Sequence, residues 1–155
     1  MGKRIASRTA ARDRSVWVAF AALTVFAAET RVQMKDLPPP VQKTVQEQIK
    51  TAKLRGLSRE VERGKTYYEA ETTVNGKSRD ILMDASGAIV EVEEATAFES
   101  IPEAAQKALR TKAGSGKILR VESVTKGSTV SYEAVIEKNG KRSEVAVNAG
   151  GSVNK

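Results

Sequence analysis

Apolar positions in this chain recur first at helical spacing and then at strand spacing, and this order occurs twice. Val41 and Val45 mark the buried side of a first helix, and Ala105 and Leu109 mark that of a second. Each helix is followed by alternating apolar and polar positions, which are typical of strands with one buried face. Gly56 is the predicted stop of the first helix and Gly114 that of the second, because glycine readily adopts the backbone conformation that ends a helix. The pattern predicts an α+β fold.

The two halves of the chain also resemble each other in sequence. The run Tyr-Glu-Ala at 68–70 recurs at 132–134, and Asn-Gly-Lys at 75–77 recurs at 139–141 with the same offset. A constant offset across a helix and a hairpin indicates an internal repeat. Asn-Gly is the strongest short signal for a two-residue hairpin turn, since both positions take positive φ.

We therefore predict two tandem repeats, each with one helix packed on an antiparallel β-sheet of about four strands. The first repeat spans residues 37–96 and the second spans 100–155, while residues 29–36 are predicted to be a linker. The chain ends before the last strand of the second repeat is complete, so that strand is predicted to be truncated. The preceding strand, at 144–148, then becomes an open edge or joins the sheet of the first repeat.

The turn at 75–76 determines which residues of the first hairpin face each other. On the side away from the helix it places Glu71 opposite Asp80, and Glu93 on the next strand falls beside Asp80. Like charges directly opposite each other destabilise a sheet, so such a row is a candidate binding face. The predicted ligand-binding residues are Glu71, Asp80, Glu93, Glu69, Glu91 and Tyr67.

A cationic partner would relieve the repulsion in this row. A lysine- or arginine-rich protein segment would do so through charge-assisted hydrogen bonds, and calcium would do so with oxygen ligands. The alternative is a solvated acidic face whose charge is neutralised within the protein, by an arginine of the second repeat such as Arg110 or Arg142. No residue is assigned as a dedicated metal ligand at this stage.

The composition argues against an enzyme. The chain contains no cysteine and no histidine, so it lacks thiolate chemistry and the usual general base near neutral pH. The Ser-x-x-Lys spacing at 123–126 lies on a predicted strand and turn, where the helical geometry of that catalytic motif is missing. We predict no catalytic residue and no cofactor.

The formal net charge of +7 is concentrated at the N-terminus. Residues 1–28 hold five basic residues and one acidic residue, followed by a short apolar run that ends in small residues. This order is typical of a secretory signal peptide, and the run is too short to span a bilayer. We predict export to the periplasm or beyond, with no transmembrane segment after signal removal. The remaining charge is mixed, which does not favour nucleic acid as a partner.

Several motifs together resemble the PepSY-like family, whose members are also described as β-lactamase-inhibitor-like domains. They are Leu-Pro-x-x-Val-Gln from residue 37, Tyr-Glu-Ala-Glu at 68–71 and Asp-Ala-Ser-Gly at 84–87. The resemblance implies an exported bacterial protein with a helix packed on an antiparallel sheet. It also implies a non-enzymatic module that binds or inhibits a protein or peptide through a sheet face or edge. The alternative is a cation-binding or structural protein of the cell envelope.

Overall fold

In a computed structural model, which describes residues 29–153, eight strands form one antiparallel sheet whose strand order follows the chain. The strands are β1 (Thr30–Arg31), β2 (Lys53–Glu62), β3 (Lys65–Val74), β4 (Lys77–Asp84), β5 (Ile89–Thr96), β6 (Lys117–Lys126), β7 (Thr129–Lys138) and β8 (Lys141–Asn148). The helices are α1 (Pro39–Gln48) and α2 (Glu103–Ala113), each preceded by a short 3-10 turn, at Met34–Asp36 and Phe98–Ser100. The predicted signal peptide, residues 1–28, lies outside the described residues.

The prediction of two tandem helix-on-sheet repeats is wrong, because one sheet runs through both halves of the chain. The pairing of β5 with β6 joins the halves, with Glu94 opposite Ser123 and Thr96 opposite Val121. The sequence pattern did not reveal this pairing, since the two strands are separated by α2 and have no hairpin turn between them. The fold is therefore a mostly β structure with two helices.

Both helices cover the same face of the sheet. Val41 and Val45 of α1 are fully buried with Ala70 and Ile81 of the central strands. Ala105, Leu109 and Ala113 of α2 form a second core cluster with residues of β6, β7 and β8. The apolar alternation predicted for these strands is correct, because alternate residues of a strand point to opposite faces. The opposite face is left without a helix within residues 29–153.

The Asn-Gly turns have the predicted conformation. Asn75 and Gly76 adopt φ of 49° and 80°, and Asn139 and Gly140 adopt 54° and 72°. Positive φ at both central positions is what a two-residue hairpin needs, and asparagine tolerates it better than most residues. These turns determine the register of both hairpins.

Gly56 does not end the first helix, contrary to the prediction. Helix α1 ends at Gln48 and is capped by Ile49, and Gly56 lies inside β2 at a register irregularity opposite Glu71. A Cβ at position 56 would overlap the guanidinium of Arg31, so a larger residue here would require that arginine to move away from Glu71. Helix α2 does end at the predicted glycine, Gly114, with φ of 55°.

The two ends of the described chain lie at the two edges of the sheet. Residues 29–36, which the sequence predicts to be a linker, contain β1, and Val32 and Met34 pack against the first core. At the other edge, β8 pairs with β7 on one side, and within residues 29–153 its outer side makes one bridge, from Val147 to Val153. No helix in this part of the chain is long and apolar enough to cross a membrane.

Candidate functional site

The sheet face opposite the helices carries a series of carboxyl groups, and we call it the acidic face. Glu71 lies opposite Asp80, and Asp80 lies opposite Glu93 on the next strand, which is the row that the hairpin register predicts. In the neighbouring row Glu69 and Glu91 lie on either side of Leu82. Strand alternation places Tyr67 on this face too, so the six predicted ligand-binding residues share one side of the sheet.

The acidic face extends into the second half of the chain, which the sequence analysis missed. Glu122 of β6 lies directly opposite Glu133 of β7, and Glu144 of β8 lies opposite Val135 of β7. The turn at Gly127 fixes the register of β6 and β7 as clearly as the Asn-Gly turns fix the registers of their hairpins, so the sequence could have predicted the opposed pair. The sequence could not have predicted that the pair lies near Glu93, because this proximity depends on the β5–β6 pairing.

Several of these carboxyl groups are buried although no helix of the described chain covers them. The exposed fraction is 2% for Glu71, 6% for Glu69 and 7% for Glu122. Ser58, opposite Glu69, donates a hydrogen bond to its Oε2 at 3.2 Å, while Oε1 of Glu69 is buried without a hydrogen-bond partner among the described residues. A buried polar atom left unsatisfied is destabilising, and native structures contain few of them.

Burial and mutual repulsion raise the pKa values across the face. Burial raises the pKa of Glu69 to about 8, with further contributions from Asp80 and Glu71. Burial also raises the pKa of Glu93 to about 9, and the charges of Glu91, Glu122 and Glu133 add to the effect. Glu69 and Glu93 therefore hold protons at neutral pH.

Two pairs of carboxyl groups lie close together on this face. Glu93 lies beside Glu91 on the same strand, and Glu133 lies beside Glu144 on the adjacent strand. Burial, followed by the charge of Glu144, raises the pKa of Glu133 to about 7. A hydrogen bond between two carboxyl groups requires that one of them is protonated, and in each pair the group with the raised pKa, Glu93 or Glu133, is the one that can supply the proton.

Three cations lie at the margins of the acidic face. Arg31 contacts Glu71 at 3.0 Å, Lys126 contacts Glu91 at 3.0 Å, and the Arg120 guanidinium lies 3.2 Å from Glu122. Each of these cationic side chains is more than half exposed.

The two arginines that the sequence proposed as neutralisers have other partners. Arg110 stacks over the ring of Phe98 at 4.9 Å, and Arg142 contacts Glu137 at 3.5 Å. The sequence could not anticipate Arg31 in their place, since β1 has only two residues and no strand pattern of its own.

A cluster of three carboxyl groups lies at the β1 edge of the acidic face. One oxygen each from Glu29, Glu69 and Glu71 lies within 4.8 Å of the other two. Glu29 is exposed and immediately precedes β1, while Glu69 and Glu71 are buried on β3. All donors in this cluster are oxygens, the ligand type of hard cations.

Comparison with solved structures identifies the fold. A protein from Bacteroides eggerthii, provisionally assigned to the periplasm, superposes with a TM-score of 0.64 at 17% identity, covering 77% of this chain and 86% of its own. A DUF2874 family protein from Bacteroides uniformis has a TM-score of 0.61 at 16% identity, covering 76% and 86%. A BLIP-like protein from Bacteroides fragilis has a TM-score of 0.56 at 17% identity, covering 78% and 87%. The chain has a BLIP-like fold.

The likeness to these proteins is one of structure. No known protein family matches the sequence, and no curated protein matches it either. At identities below 20% the shared fold carries no residue roles from one protein to another. The PepSY-like resemblance therefore stays a prediction, and the chemistry of the acidic face has to be argued from its own residues.

Proposed function

We propose that this protein is an exported, non-enzymatic binding module that holds a lysine- or arginine-rich segment of a protein or peptide on its acidic face. The observation that carries the proposal is the set of closely spaced carboxyl pairs, Glu91 with Glu93 and Glu133 with Glu144. Burial and the neighbouring carboxylates raise the pKa of Glu93 to about 9 and that of Glu133 to about 7, so both groups take up protons in the absence of a cation. A cationic side chain that entered between them would replace the protons and form charge-assisted hydrogen bonds.

The extent of the acidic face favours binding over catalysis. Acid–base enzymes also contain carboxyl groups with raised pKa values, but they gather them around one reacting bond. Here the carboxyl groups run from Glu69 on β3 to Glu133 on β7. Four strand spacings separate those two strands, about 19 Å. That span suits an extended segment with several cationic side chains.

The fold and the leader support the exported location. The structural neighbours include a protein provisionally assigned to the periplasm and a BLIP-like protein. The basic and apolar leader over residues 1–28 has the order of a signal peptide. A protein that acts in the periplasm or outside the cell is consistent with both, and its partner would be met there.

Titration with short labelled peptides tests the proposal. An alternating lysine–threonine peptide should bind the full-length chain in fluorescence anisotropy, with an affinity that falls as salt is added. The matching glutamate–threonine peptide should not bind. Replacing Glu122 and Glu133 together by glutamine should weaken lysine-peptide binding at least tenfold, about 1.4 kcal/mol.

The matched control removes two carboxylates from elsewhere on the surface. Glu47 on α1 and Glu99 before α2 are both exposed and lie outside the acidic face. The Glu47→Gln, Glu99→Gln variant should bind the lysine peptide within about twofold of the parent chain, because only long-range charge has changed. The proposal of a specific binding site on the acidic face would be refuted if both double variants bound the lysine peptide equally weakly. It would also be refuted if the parent chain bound the acidic peptide as well as the lysine peptide.

A further inference from the structure

We propose that Glu29, Glu69 and Glu71 form a binding site for one calcium ion at the β1 edge of the acidic face. This site is separate from the proposed peptide-binding site, in which the residues to be substituted, Glu122 and Glu133, lie on β6 and β7. It also differs from the cation site that the sequence suggested, because Asp80 and Glu93 are not part of it. The three oxygens that approach each other come from Glu29, Glu69 and Glu71.

The burial of Glu69 is a second observation that favours an ion at this cluster. Its side chain is 6% exposed, and its Oε1 is buried without a hydrogen-bond partner among residues 29–153. The other oxygen accepts a hydrogen bond from Ser58, which holds the carboxyl group in its place in the cluster. An ion bound between the three carboxyl groups would satisfy an atom whose burial is otherwise unfavourable.

Gly56 and Arg31 lie beside the cluster of three carboxyl groups. Gly56 lies opposite Glu71, and a Cβ there would overlap the Arg31 guanidinium and stand 3.0 Å from Oε2 of Glu71. Arg31 contacts Oε1 of Glu71 at 3.0 Å. Metal-bound carboxyl groups are ionised. In the ion-bound state the three carboxylates and the charged Arg31 therefore carry a net charge of two negative, which one divalent cation neutralises.

The chemistry of the donors selects calcium among divalent cations. Every ligand is a carboxylate oxygen, and the chain has neither the histidine nor the cysteine that softer metals prefer. Calcium–oxygen distances of 2.3–2.6 Å place opposite ligands about 4.6–5.2 Å apart. The present spread of up to 4.8 Å needs little rearrangement to meet that geometry. Magnesium would require opposite oxygens only about 4.0–4.2 Å apart and retains more of its water.

The site would connect the N-terminal segment to the body of the sheet. Glu29 immediately precedes β1, a strand of two residues, while Glu69 and Glu71 belong to β3. A bound ion would therefore link the start of β1 to β3, across β2. This link would add to the short pairing of β1 with β2, in which Thr30 lies opposite Arg59 and Arg31 opposite Ser58.

Calorimetric titration of the full-length chain with calcium chloride tests this site. We expect saturable binding of one ion, with magnesium binding at least tenfold more weakly. Glu29→Gln and Glu69→Gln should each weaken calcium binding at least tenfold. Glu29 is exposed, so its variant is expected to fold normally, and circular dichroism checks this for both. Glu47→Gln, an exposed carboxylate on α1, should bind calcium within twofold of the parent chain.

Two outcomes would overturn the site. One is the absence of saturable calcium binding, and the other is an equal loss in Glu47→Gln, which would indicate general charge screening. The double variant Glu122→Gln, Glu133→Gln separates this proposal from the proposed function. It should lose lysine-peptide binding measured in EDTA and keep calcium binding, so either proposal can fail without the other.

Discussion

Glu122 lies directly opposite Glu133 in the β6–β7 hairpin, so two carboxyl groups face each other across adjacent strands. Like charges in this relation destabilise a hairpin, yet the pair has further carboxyl groups on both flanking strands, Glu93 on β5 and Glu144 on β8. Arg120 contacts Glu122 from the margin at 3.2 Å. The opposed pair should lower the stability of the free protein, and under the proposed function a bound cation would offset that cost.

Glu133→Gln should stabilise the free protein at pH 8. The substitution removes repulsion with Glu122 and with Glu144, and we expect the free energy of unfolding to rise by about 0.5–1 kcal/mol. At pH 5 the gain should be smaller, because the raised pKa of Glu133 keeps it protonated there. Urea denaturation at the two pH values measures both. Glu137→Gln, on the same strand but paired with Arg142, is the control and should show no gain. A loss of stability at both pH values would contradict the prediction.

Stability should fall as the pH rises from about 5 to 9. Because the pKa of Glu93 is raised above its ordinary value of 4.5 to about 9, the folded state binds more protons than the unfolded state in this range. One such carboxyl contributes a slope of up to about 1.4 kcal/mol per pH unit. The charged groups facing it are Asp80, Glu91, Glu122 and Glu133, with Lys126 near Glu91.

Thermal unfolding across that pH range checks the slope of stability against pH. The Tm of the parent chain should decrease between pH 5.5 and 8.5, and Glu93→Gln should make the decrease smaller, because its side chain cannot ionise while Glu69 and Glu133 still can. A parent profile that is flat, or that rises with pH, would show that Glu93 ionises normally in the folded protein.

Arg31→Met should destabilise the protein by about 1–2 kcal/mol. It removes the ion pair with Glu71, a carboxylate that is only 2% exposed, while Arg31 itself is 53% exposed, which limits the loss. The double variant Arg31→Met, Glu71→Gln should recover much of it, since no buried charge then lacks that partner. Guanidinium denaturation of the single and double variants gives the coupling energy. A coupling energy near zero would mean that solvent screens the pair completely.

Gly56→Ala should be harmful only while Arg31 is present. The new Cβ would overlap the guanidinium and push it away from Glu71, so the loss should be at most about 2 kcal/mol, the upper end of that expected for Arg31→Met. In the Arg31→Met background the same substitution should be nearly neutral, since the flexible thioether can move aside. Tm measurements on the four proteins of this cycle test the relation. Equal losses in both backgrounds would mean that the backbone at Gly56 requires glycine.

The parts of the fold that the sequence predicted are those fixed by local chemistry. The turn at Asn75 sets the register that aligns Glu71 with Asp80, and positive φ at that turn leaves little choice of pairing. Helix α2 and its end at Gly114 follow from spacing and from the same property of glycine.

The parts that the sequence did not predict depend on distant contacts. No local signal joins β5 to β6 across α2, so the single sheet and its continuous acidic face were missed. Arg31 reaches Glu71 only because β1 adds to the edge of β2, and the limited space for a side chain at position 56 follows from that contact. In each case a residue's role depends on a partner far away in sequence, which periodicity cannot reveal.

The strand order also has a kinetic consequence. Since each strand pairs with the strand that follows it, most of the sheet can assemble from neighbouring hairpins with short loops to close. The β5–β6 pairing is different, because it must wait for α2 to fold back and close a longer loop. We expect this step to limit the folding rate, and the two halves of the sheet to become one cooperative unit only when it is complete.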